Sequence, residues 1–296
     1  MTASGEPGRE WSDARVWWQS FEPIHAVVYF ADECRAALAG TGLRGFWMGY
    51  FAGRAVPLGT VGPATVGALF FSFDETMVRR ALPDAWHFAE PDAVLRARRE
   101  SAATVLRRVC RNVEGVSKPA IPVIEHLVER ADGSGRALFC ANRDLPGLDD
   151  PVEALWQGCT CLREHRGDGH VAALTAAGLD GCEALVLFAL SQAVDGGLFR
   201  ASRGWSDQEW GDAVERLAAR GLVRDGEITS KGREVRDWIE ATTDRLAAAA
   251  FEELHPTEEP VLRRALTEVA NAVVAGGVLP FPNPIGLPAP DGRESP

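Results

Sequence analysis

The sequence predicts a mainly α-helical protein made of two similar winged-helix-like halves with short β-hairpin wings, closed by an extended Pro-rich C-terminal strap. Three observations carry this expectation. "AALAGTGLRG" (36–45) returns as "AALTAAGLDG" (172–181), with six of ten positions identical at a constant offset of 136, an offset that Asp32 and Asp168 share. Self-similarity at such a period marks a duplicated structural unit. "LVRDGEITSKGREV" sets Asp225-Gly226 between two short β-prone segments, the signal for a tight hairpin. Pro280, Pro282, Pro284, Pro288 and Pro290 forbid a helix near the C-terminus.

The elements follow in order. In the first half (1–130), "EPIHAVVYF" and "FWMGYFAGRAV" read as apolar helices and Phe73–Trp86 as an acidic one. A helix over Pro91–Asn112 is then broken by the Gly/Pro-bearing "EGVSKPAIP" (114–122). Residues 131–151 are dense in turn signals and read as a linker. In the second half (152–276), a helix beginning near Val152 is expected to stop at Gly167 and Gly169, with Asp168 capping a new helix over Val171–Ala177. After the apolar "CEALVLFALSQAV", Ser206 and Glu209 have capping-box spacing, and Trp210, Val214, Leu217 and Ala218 share one helical face ended by Gly221. The hairpin comes next, then an amphipathic helix from about Ser230 bearing Val235, Trp238, Ile239, Thr242 and Leu246. Helix, helix, hairpin, helix is the order of a winged helix-turn-helix. The strap (277–296) is expected to lay Phe281, Ile285 and Leu287 across the body and to be disordered from Ala289.

Composition narrows the function classes. At 296 residues with 46% hydrophobic and 25% charged content, the chain has an ordinary globular balance. No apolar run approaches the ~20 residues that span a bilayer. The N-terminus is polar without the hydrophobic region of a signal peptide, so a cytoplasmic location is expected and a membrane partner is not. The six Cys are scattered, which suggests free thiols. A net charge of −11 repels phosphate backbones unless a local basic patch overrides it. Walker A, GxGxxG, GxSxG and the kinase motifs are missing, so nucleotide-dependent or redox chemistry has no support and no cofactor is expected.

"ERLAARGLVRDGEITSKGREV" resembles the recognition helix, wing and following helix of MarR-like winged-helix proteins. "RGFWMGYFAGRAVPLG", "ALPDAW", "REHRGDGHVAAL", "RGWSDQEW" and "LPFPNPIGLP" are similar to those of an actinobacterial family usually labelled only as helix-turn-helix proteins. This likeness spans nearly the whole chain. It implies the fold, but no common reaction is attached to the family, and a fold does not dictate a function.

Candidate site residues gather in two stretches. "LREHRGDGH" offers Arg163, Glu164, His165, Asp168 and His170. The arginines complement a helix C-terminus and Asp168 a turn, which leaves Glu164 and the two His without a structural task; Glu164 is expected to pair across the interface between halves. Cys159, Cys161, His165 and His170 are near in sequence, but Cys159 and Cys161 lie ~200° apart around a helix, so no metal site is expected. In the first half, His25 and Tyr29 are four residues apart, and Trp47, Tyr50 and Arg54 recur at helical spacing just after Arg44. Gly45, Gly49 and Gly53 flatten one side of that helix for close packing or a ligand. Because the repeat offset maps Tyr29 onto His165, both stretches are expected to face a central cleft between the halves. Arg203 and Trp205 precede the Ser206 helix, whose N–H groups favour anions.

The main functional expectation is a small-molecule-binding protein, extending to a cofactor-independent non-redox enzyme (elimination, cyclisation or hydrolysis) acting on a polar or anionic metabolite. His165, Glu164 and His25 are its acid–base candidates, and the remaining polar and aromatic residues named above bind the substrate. The alternative is a MarR-like, ligand-responsive DNA-binding regulator. Charge disfavours it, since the recognition helix Ser206–Arg220 sets four carboxylates against Arg216 and Arg220. Arg224, Lys231, Arg233 and Arg236 could still make a basic wing. A homodimer is a further partner state consistent with the sequence.

Overall fold

In the computed structural model the described residues are 12–289. The polar N-terminal stretch up to residue 11 and the strap from residue 290, within the segment expected to be disordered, lie outside them. The first half contains α1 (Ser12–Phe30), α2 (Asp32–Gly40), α3 (Gly45–Ala55), α4 (Pro63–Leu69), α5 (Glu75–Ala81), α6 (Ala85–Phe88), α7 (Pro91–Val109) and α8 (Val113–Arg130). Then come α9 (Ala137–Arg143), α10 (Pro151–Ala176), α11 (Gly181–Gln192), α12 (Gly196–Arg203), α13 (Asp207–Ala219), α14 (Ser230–Ala248) and α15 (Glu259–Ala275). Among the described residues the one sheet is a hairpin of β1 (Val223–Arg224) and β2 (Glu227–Ile228).

Local chemistry accounts for the second-half elements as expected. The Ser206 hydroxyl accepts from Glu209 N–H while the Glu209 carboxylate accepts from Ser206 N–H, closing the capping box of α13. The hairpin pairs Val223 with Ile228 and Arg224 with Glu227, and its turn puts Asp225 at φ 52° and Gly226 at φ 81°. Two consecutive positive φ values are what a primed turn needs, and Asp-Gly tolerates them best. Thr229 then caps α14.

Four expectations fail. Gly167 and Gly169 do not end a helix: α10 runs through both to Ala176. It is buried on nearly every side, so the ~1 kcal/mol cost of each helical glycine is offset by closer packing. A Cβ on Gly169 would stand 3.4 Å from Leu246, and one on Gly158 only 2.8 Å from Ile124. Asp168 is therefore no cap; its carboxylate accepts from Phe139 N–H at 3.0 Å. Secondly, "EGVSKPAIP" is not a break, because α8 passes through Pro119 and Pro122. Both prolines sit on its exposed face, where the carbonyls they leave unpaired meet water. Thirdly, among the described residues the first half has no β strand where a wing was expected. Fourthly, residues 131–151 hold α9, with Leu138 and Phe139 buried.

The halves share their largest core. Ile24 and Phe21 of α1, Leu106 of α7, Ile124 and Leu127 of α8, Trp156 of α10 and Leu266 of α15 belong to one apolar cluster, against which Phe281 and Ile285 of the strap also pack. A second cluster joins α2 to α7, and a third holds α11, α13 and the hairpin. Among the described residues no single helix is long and apolar enough to cross a membrane.

Candidate functional site

A cavity of about 320 Å³ opens between α2, α3 and α7. Its apolar wall is Val28, Leu38, Ala39 and the Gly45/Gly49/Gly53 face of α3, with Phe46 at the rim. The side of α3 that lacks side chains thus leaves the space that residues with Cβ branches would occupy. The polar end is formed by Tyr29, Tyr50, Arg54 and Arg98, with Arg35 beside them.

Behind this end lies a buried charged network. Arg54 grips Glu164 through two parallel hydrogen bonds, Nε to Oε1 at 3.0 Å and Nη2 to Oε2 at 2.9 Å. Arg163 Nη1 donates to the same carboxylate at 2.7 Å, and its Nε stands 3.6 Å from Glu22, which accepts from Trp18 Nε1–H at 2.9 Å. Glu164 does pair across the halves, and with a first-half partner deep in the interior. Burial alone would raise its carboxyl, yet Arg163 and Arg54 hold it well below the usual carboxylate range.

Arg98 is different. Only 2% exposed, it borders the cavity with its guanidinium carbon 5.0 Å from the Trp156 ring centroid, and its Nη1 has no hydrogen-bond partner among the described residues. Burial lowers its pKa, as expected of a cation without a carboxylate beside it. Of Arg54, Arg98 and Arg163, Arg98 therefore is the one without a carboxylate within ion-pair distance among the described residues. A buried cation without a counter-charge is costly, and an anion entering the cavity would relieve it.

A neutral relay stands beside the arginines. Tyr29 Oη lies 2.9 Å from His25 Nε2, His25 Nδ1 lies 3.0 Å from Thr160 Oγ1, and the Thr160 hydroxyl reaches Trp156 O at 2.9 Å. Burial, aided by Arg163, keeps His25 well below its usual pKa and so uncharged.

The expected site residues divide accordingly. Tyr29, Tyr50 and Arg54 line the cavity; His25, Arg163 and Glu164 stand directly behind them. The cavity lining comes wholly from residues 28–98, so the space lies within the first half and not in a cleft between the halves. Trp47 packs on Phe46, Phe51 and Phe73 in the aromatic wall. The exposed Arg44 lies over Phe88 at 3.9 Å. His165 is on another face of α10, edge-on to Phe139 at 4.9 Å, so it does not share a place with Tyr29. His170 pairs with Thr243, and Trp205 Nε1 donates to Ser72 O at 2.9 Å. Arg203 stacks on Phe73 and donates to Pro284 O of the strap.

Arg98, Thr160 and Trp156 were not among the sequence candidates. Arg98 had a readable signal: it interrupts the buried stripe Val94, Ser101, Ala102, Val105 of α7, where an apolar residue belongs.

The model of a helix-turn-helix family matches residues 14–280. The chain belongs to a helix-turn-helix family. No curated protein and no solved structure matches it. In this helix-turn-helix protein α13, the helix expected from the sequence to be the recognition helix, has an acidic outer face. Asp207 and Glu215 are exposed and Asp212 is half-buried, while Arg216 turns back to Asp180 and Glu183, and Arg220 to Ala177 O and Gly178 O. Of the basic wing residues, Arg236 is buried against Glu240 and Lys231 is tied to Arg220 O. The turn leading into α13 is also occupied, because Asp74 N–H donates to Arg203 O at 2.9 Å alongside the Trp205–Ser72 bond.

The buried histidines set an acid limit on the fold. Burial lowers His165 to about 3 and His170 to about 4, and lowers His25 as well. An unfolded His titrates near ~6.5, so below that pH the unfolded chain takes up protons that the folded chain refuses. Stability contributed by these groups is present above pH ~6.5 and is lost as pH falls toward about 4. Asp168, raised to about 6 by burial, works in the opposite direction, but as one group against three. Urea midpoints measured from pH 8 to pH 4 should therefore start to fall near pH 6.5; a flat profile down to pH 5 would refute the assignment of neutral buried histidines.

Proposed function

We propose that this is a small-molecule-binding protein that holds an anionic, largely apolar ligand in the α2–α3–α7 cavity of a helix-turn-helix scaffold. Arg98, buried at the cavity's polar end without a carboxylate partner and with Nη1 making no hydrogen bond, carries the reading. About 320 Å³ is at the lower end of ligand-pocket volumes, so the ligand is compact. Elimination, cyclisation or hydrolysis would need a group here that accepts a proton. Tyr29 could pass one only to His25, which burial and the surrounding arginines hold neutral, so the electrostatics support binding ahead of catalysis. One feature of the element order supports duplication: α3 and α11 begin at Gly45 and Gly181, the offset of the sequence repeat, and the chain after each reaches a 19-residue helix, α7 after three short helices and α14 after two helices and the hairpin.

Ligand-observed NMR with benzoate and phenylacetate tests the reading against their neutral amides. Saturation transfer from the protein to the acids but not to the amides is the expected result; equal transfer to both would overturn it. Gly49→Ala gives a second check. Replacing a helical glycine with alanine stabilises by roughly 0.5–1 kcal/mol, and the new methyl, 3.6 Å from Leu38, narrows the cavity. The variant should melt later and bind the acids more weakly, an opposition that a purely structural glycine would not produce.

Membership of a helix-turn-helix family is also compatible with the DNA-binding alternative. The acidic face of α13 and the occupied turn before it weigh against that alternative, and with it against a MarR-like regulator. In an electrophoretic shift assay on the protein's own promoter, no salt-sensitive complex is expected at micromolar protein; a sequence-selective complex would reinstate the regulator.

A further inference from the structure

We propose that the ligand is a compact carboxylic acid with a flat apolar body and one hydrogen-bond donor, which is read by the phenol oxygen of Tyr29. This rests on the ligand-binding reading above and adds to it what the second polar group must be.

The argument is a proton count along the relay. A threonine hydroxyl has one hydrogen, and the Thr160 hydrogen goes to Trp156 O, the carbonyl one helical turn back. Toward His25 the Thr160 oxygen can then only accept, so His25 Nδ1 carries the imidazole hydrogen. Nε2 is left with a lone pair, and Tyr29 must donate its single hydrogen to it. This is the one arrangement that keeps all three hydrogen bonds. The oxygen of Tyr29, a residue that borders the cavity, therefore has only lone pairs left to offer. A ligand group beside it that was itself an acceptor would meet lone pair with lone pair in a site only 7% exposed at Tyr29. A donor there is satisfied.

The rest of the class follows from the walls. Arg98, which borders the cavity and has no carboxylate partner, supplies the anion partner. The flat Gly45/Gly49/Gly53 face of α3, with the Tyr29 and Tyr50 rings 5.1 Å apart near it, favours a planar body over a branched one. Neither tyrosine nor arginine alone would impose both requirements together.

The test is calorimetric titration of the intact protein with matched pairs: 3-hydroxyphenylacetate against 3-methylphenylacetate, and indole-3-acetate against naphthalene-1-acetate, each with its neutral amide. The donor-bearing acid of at least one pair should bind about 10-fold or more tightly than its partner, the discrimination expected when a buried polar group is left unpaired. Tyr29→Phe should bring that ratio close to one. Thr160→Val should also lower it, because without the Thr160 acceptor the imidazole hydrogen can move to Nε2 and free the Tyr29 hydrogen to turn toward the cavity. The Thr160 change lies outside the cavity lining, so its effect on selectivity reports the relay and not a lost ligand contact. If the acids bind and the amides do not, but the pairs are equal in the wild type or Thr160→Val leaves their ratio unchanged, the donor inference is overturned and the anion pocket stands. If acids and amides are alike across the panel, both fall.

Discussion

Glu164→Gln is expected to destabilise the protein by about 3–5 kcal/mol, because it leaves Arg54 and Arg163 buried without their shared carboxylate. For a chain of this size that corresponds to a drop in Tm of roughly 10 °C. The size of the effect comes from desolvation. Glu164 is 0% exposed, and the charge it neutralises cannot be recovered from water. Glutamine keeps the shape and one acceptor oxygen, so any large loss is electrostatic and not a matter of volume. A double variant, Arg54→Met with Glu164→Leu, should be less destabilised than the sum of the singles, since it removes both members of the bidentate pair and leaves Arg163 near Glu22. Urea unfolding at pH 7 measures Glu164→Gln, the double variant and its two singles; additive losses in the double would mean that the pair is not coupled. The pH sign follows from the depressed Glu164 carboxyl. Its contribution is fully present above the unfolded carboxyl range, ~4.3, and is lost only as pH falls through the lower folded value. The pair therefore adds nothing to the decline expected between pH 6.5 and 4, which belongs to the histidines.

Arg98→Met should separate binding from stability. Without ligand, an unpaired buried guanidinium gives way to an apolar side chain of similar length, so the free protein should be as stable as the wild type or more so. With ligand, the sole unpartnered cation of the cavity lining among the described residues is lost, and affinity for small carboxylates should fall about 100-fold. Thermal melts with and without 3-hydroxyphenylacetate read both effects at once: a raised or equal Tm in buffer and no shift on adding the acid. A variant that unfolds early in buffer would show that Arg98 is a structural cation, satisfied by the Trp156 face at 5.0 Å.

Local signals proved reliable where a few residues fix the backbone. The Ser206 capping box, the Asp225-Gly226 turn and the Thr229-capped helix depend on hydrogen bonds and φ preferences within four residues, so no distant partner could change them. Signals whose outcome depends on neighbours misled. Glycine at 167 and 169 and proline at 119 and 122 ordinarily end helices, but Gly169 packs closely on Leu246 within the buried α10 and both prolines face solvent. The charged cluster "LREHRGDGH" is largely buried but does not line one cleft, because a continuous helix distributes its members around several faces. Glu164 and Arg163 reach Arg54, His165 turns to Phe139, and His170 goes to Thr243.

The capping box, hairpin and following helix of the second half, the acidic charge of α13 and the flat glycine face of α3 were settled by the sequence alone, because composition and short-range geometry leave them no alternative. Which charges share a carboxylate, that Arg98 has none, and that the cavity lies inside the first half were decided only by tertiary packing. Those facts depend on residues more than a hundred positions apart being brought out of water together, and the cost of burying a charge is defined only once its surroundings exist.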